Sequence, residues 1–264
     1  MSAKITCLLT VYNEESRIGN FLAHATKWAD ELIVRDKGST DATVAICEQY
    51  GVTPIQIPFS PDGTSEPDCL SIGSNDWVLA MTASNVPTKK LIDECRKIIE
   101  EKGDDLDLVQ IPKILWSLGI CSNESPWYIS YQPFLYHRKR VQFSTKIHSN
   151  FSAPPERIGK ISLVPDCFLA HMTHTSGEAF LRKHLEYAIQ EVASDEPYES
   201  IVERCCINIA TQFKDVHPSH ELWAQKCGWN VYFFSIMLLA AERGKNHPKT
   251  YDEIAKTLIE KDWL

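Results

Sequence analysis

The sequence predicts an α/β fold: a mostly parallel sheet flanked by helices over residues 1–175, followed by a helical extension over 176–264. Three observations carry this. Apolar runs of strand length alternate with helix-period segments through the first sixty residues, which is the pattern of a parallel sheet. Turn formers punctuate each change. From Ser176 onward the strand-like runs stop and helical periodicity takes over.

KITCLLTV, residues 4–11, is apolar enough for a strand buried on both faces. After YNEESR, Ile18, Phe21, Leu22 and Ala25 recur at helical spacing, predicting a helix from about Glu15 to Trp28. ELIVRD, 31–36, is the second strand. Thr40 or Asp41 can cap the next helix, which runs to about Tyr50 and ends at Gly51. TPIQIPF, 53–59, is the third strand, and 60–76 is rich in turn formers. A strand then begins at Trp77, and Pro87 starts a helix that continues to Gly103. DLDLVQIPKILW is another strand, Ser117 to Pro133 is irregular, and FLYHRKRVQF and KISLVPDCFLAH are β-segments around a Pro-Pro loop.

With 27 Lys and Arg against 35 Asp and Glu, the chain is acidic overall, which excludes a general nucleic-acid partner. Nine cysteines without CxxC spacing argue against structural zinc and for free thiols in a reducing cytoplasm. The N-terminal stretch lacks the pattern of a signal peptide. The longest apolar run, VYFFSIMLLAA at 231–241, is too short for a membrane span. It reads as a core helix; a peripheral membrane contact or a homo-oligomer surface are the alternatives.

Ligands of an open parallel sheet bind beyond the carboxyl ends of its strands. Two such ends are polar here, TVYNEESR and VRDKGSTD. Backbone amides there can receive an anion, Asp36 or Glu14 can accept hydrogen bonds from a base or ribose, and Arg17 can reach a phosphate. Equally, Asn13 and Asp36 can serve only as caps of turns and helices. No glycine-rich dinucleotide or P-loop motif is present.

In order and spacing, TVYNEESRIGNFL, ADELIVRDKGSTDAT and NDWVLAMTASNVP resemble family 2 glycosyltransferases of GT-A fold. FLYHRKRVQFSTKIHSNF and FLAHMTHTSGEAFLRKHLEYA are similar to a subgroup acting in lipopolysaccharide-core and other surface-glycan assembly. The resemblance implies inverting transfer of a sugar from a nucleotide-sugar, normally UDP-linked, to a glycan or lipid-linked acceptor. It implies that Thr10, Tyr12, Asn13 and Glu14 line a nucleotide pocket and that Asp36 contacts the base. Gly38, Ser39 and Asp41 would shape the turn beneath it, and Lys37, where the family has Asp or Ser, would add a phosphate contact.

The same resemblance exposes departures. The family reads Leu-Asp-Ala-Asp-Glu after the Trp-Val-Leu strand, where Asp-X-Asp contributes to a divalent-metal site. Here Met81, Thr82, Ala83, Ser84 and Asn85 stand in those places, and no carboxylate falls between Asp76 and Asp93. Neutral hydroxyls at Thr82 and Ser84 do not replace two carboxylates around a hard cation. The family's His-Glu is His148-Ser149, and serine is no general base at neutral pH. The upstream Arg-Asn pair has no counterpart.

Two expectations follow. The first is a transferase working without the usual metal. Its leaving diphosphate would be neutralised by Lys37, Arg138, Lys139, Arg140 and Lys146, with His148 or Asp166 as base. The second is a non-catalytic homologue that binds a nucleotide or glycan and regulates a partner. His171 and His174 form an HxxH, read as structural histidines, with His171 a weak metal candidate.

Overall fold

In this computed structural model, the described residues are 2–59, 67–123, 125, 128–143, 151–173, 176–192, 196–213 and 220–243. They divide into two compact units, the first within 1–116 and 127–173, the second within 117–126 and 174–264.

The first unit is built on strands β1 (Ile5–Val11), β2 (Glu31–Asp36), β3 (Ile55–Gln56), β4 (Trp77–Met81), β5 (Asn85–Pro87), β6 (Leu108–Ser117), β7 (Ile129–His137), β8 (Gln142–Phe143), β9 (Phe151–Ser152), β10 (Ile158–Lys160) and β11 (Leu169–Thr173). Its helices are α1 (Ile18–Ala25), α2 (Thr43–Gln49) and α3 (Lys89–Lys102). The hydrogen-bonded order of the main sheet is β3-β2-β1-β4-β7-β6-β11-β5, with β10 beside β6 and a separate β8-β9 pair. β1 pairs in parallel with β2 and β4, and β2 with β3, as the alternating pattern requires. β7 runs antiparallel to both β4 and β6, and β11 antiparallel to β5.

Every residue of β1 and β4 is buried, because both sheet faces are covered. On one face Cys7, Leu9, Leu79 and Met81 pack with Phe21 and Leu22 of α1 and Leu91 and Cys95 of α3. On the other, Leu8, Val78 and Ala80 pack with Leu108, Tyr136 and Phe151. Stripping water from these side chains stabilises the unit by roughly 25 cal/mol per Å² of apolar surface.

Several expected boundaries move. α1 begins at Ile18 rather than Glu15, because the backbone of Glu14 and Glu15 is bonded to the next loop. The third strand shortens to Ile55–Gln56. Pro87 does not start a helix. It ends β5, and Thr88 caps α3 by accepting from the Leu91 amide at 3.3 Å, a bond worth about 1 kcal/mol. The stretch expected to be irregular holds the first half of β7. The strand expected through Asp166 is interrupted by a Val164–Cys167 turn.

The second unit packs α6 (His220–Arg243) against α4 (Gly177–Val192) and α5 (Tyr198–Phe213). Ala188, Ile201, Cys205, Tyr232, Phe233, Ile236 and Ala240 form its core. The 231–241 run therefore buries one face, while Val231, Phe234 and Leu238 are exposed. His184 is buried against Phe180, and that burial pushes its pKa down to about 4. Among the described residues, no helix is long and apolar enough to cross a membrane.

Candidate functional site

Register places the ends of β1 and β2 side by side, Val11 opposite Asp36. The loops that follow are then zipped together. Asn13 adopts a left-handed φ of 53°, which asparagine tolerates better than most residues. This lets its amide donate to Ser39 Oγ at 2.8 Å while its side-chain oxygen accepts from the Thr40 amide at 2.8 Å. The Glu14 amide donates to Thr43 Oγ1 at 2.7 Å, the Glu15 amide to Asp41 at 3.1 Å, and the Ala42 amide to Glu15 at 3.0 Å. Asp41 also accepts from the Thr43 amide at 2.9 Å, tightening the turn that leads into α2; the cap position itself falls to Ala42, which has no side chain to cap with, rather than to Thr40 or Asp41 as expected. Burial raises the pKa of Asp41, but hydrogen bonds from Thr43 and the backbone outweigh that and hold it below the usual carboxylate range.

Asp36 lies beneath this zipper and is 1% exposed. It accepts from the Ser39 amide at 3.0 Å and from the Ser39 hydroxyl at 2.5 Å. The reversal between them passes through Gly38 at φ +83°, a conformation that strains any side-chain-bearing residue. Lys37 is 4% exposed, and its amide donates to the Val11 carbonyl at 3.0 Å. Thr10 is buried one residue inside the end of β1. Tyr12 stands exposed at the mouth, edge-on to Phe59 with ring centroids 4.8 Å apart. Arg17 is ion-paired with Glu14, and a second nitrogen reaches the Met172 carbonyl at 3.4 Å.

The third strand end is different in kind. After Met81 the chain turns, and the Asn85 amide donates to the Thr82 carbonyl at 2.9 Å. Pairing of β5 with β11 then sets Asn85 opposite His171. Thr82 Oγ1 and Ser84 Oγ are 2.7 Å apart, Ser84 Oγ is 3.3 Å from His171 Nδ1, and that nitrogen is 2.7 Å from Asn85 Oδ1. The short contact to an amide oxygen calls for a proton on Nδ1. A divalent cation of the Mg²⁺ or Mn²⁺ type would find two hydroxyls, an amide and one imidazole here. These do not fit a hard ion that takes carboxylate oxygens. Among the described residues, no group of three or more His, Cys, Asp or Glu is arranged to hold a metal.

The cations expected around the diphosphate are corrected in part. Arg138, Lys139 and Arg140 follow β7, which is antiparallel to β4, so they lie at the amino end of β4, away from Thr82 and Ser84. Lys139 pairs with Asp76 at 2.7 Å and Arg140 with Asp107 at 2.9 Å. Asp76 is thereby fixed at the far end too. Asp166 occupies the exposed turn before β11 at φ 63°. Leu169 is opposite Pro87, so that turn extends toward the start of α3 and is not brought to the Ser84 group. His148, Lys146 and His174 lie outside the described residues. Sequence reasoning missed Asn85 as a partner of His171. It also missed Arg35, fully buried on β2, whose charge acts on Tyr136 beneath the other sheet face.

Comparison with known proteins adds the family. A model described as glycosyl transferase family 2 matches residues 6–155, more than half of the chain. An uncharacterized glycosyltransferase of Rickettsia felis is 29% identical over 199 residues, covering 71% of this chain and 69% of the relative. One of Rickettsia conorii is 27% identical over 202 residues, covering 72% and 70%. Glucosyl-3-phosphoglycerate synthase from Mycobacterium tuberculosis, solved with Mn²⁺, uridine-diphosphate and glucosyl-3-phosphoglycerate, superimposes with a TM-score of 0.43 at 16% identity, over 70% of this chain and 78% of that one. The same enzyme with Mn²⁺, UDP-glucose and glycerol 3-phosphate gives 0.33 at 22% identity, over 45% of this chain and 46% of that one. The extent of the family match makes the conclusion direct: this chain belongs to glycosyl transferase family 2.

Proposed function

We propose that the protein binds a nucleotide-sugar, UDP-linked, at the carboxyl ends of β1 and β2 and transfers the sugar to a glycan or lipid-linked acceptor without the family's Asp-X-Asp metal. One observation carries the reading. Asn13, Asp36, Ser39 and Gly38 form a preorganised, hydrogen-bonded cradle at one pair of strand ends, while the third end offers only the neutral Thr82–Ser84–His171–Asn85 network. Preorganisation of this kind lowers the ordering cost of binding. The hydrogen-bonded first two loops support the nucleotide reading, and the carboxylate-free third supports the reading without the Asp-X-Asp metal.

In this reading the acceptor hydroxyl attacks the anomeric carbon as the bond to the diphosphate breaks. His148 takes the acceptor proton; Asp166, set apart in its turn, does not. Lys37 supplies charge to the leaving group in place of a cation. The lipopolysaccharide-core subgroup is part of the proposal for the acceptor, resting on the 134–151 and 168–188 segments.

The non-catalytic alternative is favoured by the same neutral network, because its hydroxyls, ring and amide bond to one another. Turnover separates the two readings. Release of UDP from UDP-sugars, with a glycan acceptor present, is expected at equal rates in Mn²⁺ and in EDTA. Nucleotide binding with no release from any UDP-sugar tried supports the non-catalytic reading, and release only with Mn²⁺ contradicts the metal-free site.

A further inference from the structure

We propose that Lys113 holds a phosphate-type oxyanion of the substrate at the carboxyl edge of the sheet. The inference rests on the reading above, that this edge is where substrate binds, and it adds a residue that neither the motifs nor the family resemblance singles out.

β6 runs antiparallel to β7, which runs antiparallel to β4, so β6 and β4 point the same way. Leu79, Leu135 and Val109 share one level across the three strands. Counting on from that level, past the irregularity between Val109 and Ile111, brings Lys113 on β6 to the height of the Ala83–Ser84 turn after β4. The sheet also curls there. In hydrogen-bonded order β7, β6 and β11 separate β4 from β5. Four strand spacings in a flat sheet are about 19 Å. The chain from Met81 to Asn85 reaches at most about 14 Å. The carboxyl half must therefore bend round, bringing β6 within about 10 Å of the turn, two strand spacings at most.

Side-chain alternation sets the face. Lys113 is opposite Ser130 and Ile111 opposite Gln132, so Lys113 shares the face of Ile111. That face carries Leu169 in the same core, and by alternation His171 two residues on. Val11 belongs to the same core and is level with Asp36. Lys113, His171 and Asp36 therefore lie on one side of the sheet at its carboxyl edge. Lys160 is on the other side, over the Tyr131 ring at 3.6 Å.

The environment of Lys113 fits a waiting cation. It is half-buried, and among the described residues no carboxylate pairs with it. Burial alone lowers its pKa to about 8, so it remains largely protonated at neutral pH. A lysine serving only the fold would be solvated or paired, as Lys139 is with Asp76 and Lys89 with Asp93. An ammonium held in a half-dry setting without a counter-ion attracts an incoming oxyanion more strongly than a solvated one does.

The test uses the full chain, Lys113→Met and Lys113→Arg, titrated calorimetrically with inorganic phosphate, pyrophosphate and UDP at one ionic strength. Lys113→Met should weaken binding about tenfold, the loss of one charge-assisted hydrogen bond, with affinity partly recovered in Lys113→Arg. Weakening confined to pyrophosphate and UDP identifies the donor diphosphate as the anion; weakening of phosphate identifies a phosphate of the acceptor. Equal affinities of wild type and Lys113→Met for all three probes overturn the inference, as does binding of none by the wild type. If all three probes, UDP included, bind Lys113→Met undiminished, Lys113 fails and the nucleotide site stands. If phosphate or pyrophosphate binds through Lys113 but UDP does not bind, the nucleotide reading fails instead. Lys113→Met should melt higher than wild type, because an uncompensated charge is gone. Should it not fold, mass-spectrometric acetylation of wild-type Lys113 decides: protection by pyrophosphate or phosphate supports the assignment, and unchanged labelling overturns it.

Discussion

Replacing Asp107 by alanine should lower the unfolding free energy by about 3 kcal/mol, near the low end of the cost of breaking a buried ion pair, because both of its arginines are partly solvated. Asp107 is 4% exposed and sits before β6. It accepts from Arg157 at 2.7 and 2.8 Å and pairs with Arg140 at 2.9 Å. Arg140 in turn donates to the Gly103 and Leu106 carbonyls at the end of α3, and Arg157 to the Asp104 carbonyl at 3.0 Å. One carboxylate therefore ties α3, β6, β7 and the Pro155–Arg157 turn together. Hydrogen bonding from Arg157 comes first among the causes that hold its pKa below the ordinary value. Its stabilisation is present above the unfolded carboxylate pKa and is lost as pH falls through the lower native one. Urea unfolding at neutral pH and at about pH 3 checks both parts. The wild type should lose this contribution in acid, and the alanine variant should show a correspondingly smaller loss.

The second large effect is expected at Asp36. Asp36→Asn keeps one acceptor oxygen for Ser39 but removes the charge, and should weaken UDP binding about thirtyfold, about 2 kcal/mol, the scale of a charged hydrogen bond. Asp36→Ala removes the acceptor altogether, leaving the Ser39 amide and hydroxyl without their partner. It should also release Asn13, which bonds the same hydroxyl. We expect UDP affinity below detection and a lower melting temperature for alanine, against a near-native melting temperature for asparagine. Calorimetric titration with UDP alongside thermal unfolding reads both variants. Equal UDP affinity in wild type and Asp36→Asn would remove Asp36 from the nucleotide site.

What could be read in the sequence depended on whether the determining interaction is local. β2 falls at 31–36 as read and β1 within one residue of it, because continuous apolar runs between polar turns are local signals. β5 was not legible: Asn85–Pro87 is three residues long, and its pairing with β11 spans more than eighty positions. The late start of α1 was hidden for the same reason, since Glu14 and Glu15 bond partners 26 to 29 residues away. At the site, the neutral side chains after β4 were visible as composition. Their linkage to His171 was not, being a product of β5–β11 register. Arg138, Lys139 and Arg140 looked like phosphate cations because charge is legible and strand direction is not; the antiparallel pairing of β7 with β4 sends them to the opposite end. Lys113, one lysine in an apolar strand, carries no sequence signal at all.

The most direct test of the central claim, a nucleotide site that stands without the Asp-X-Asp metal, is calorimetric titration of the full chain with UDP in EDTA, repeated with Mn²⁺. The same affinity is expected in both, because the groups proposed to surround the nucleotide are Asn13, Asp36 and their loop partners. Binding seen only with Mn²⁺ would contradict it and show that other side chains rebuild the metal site.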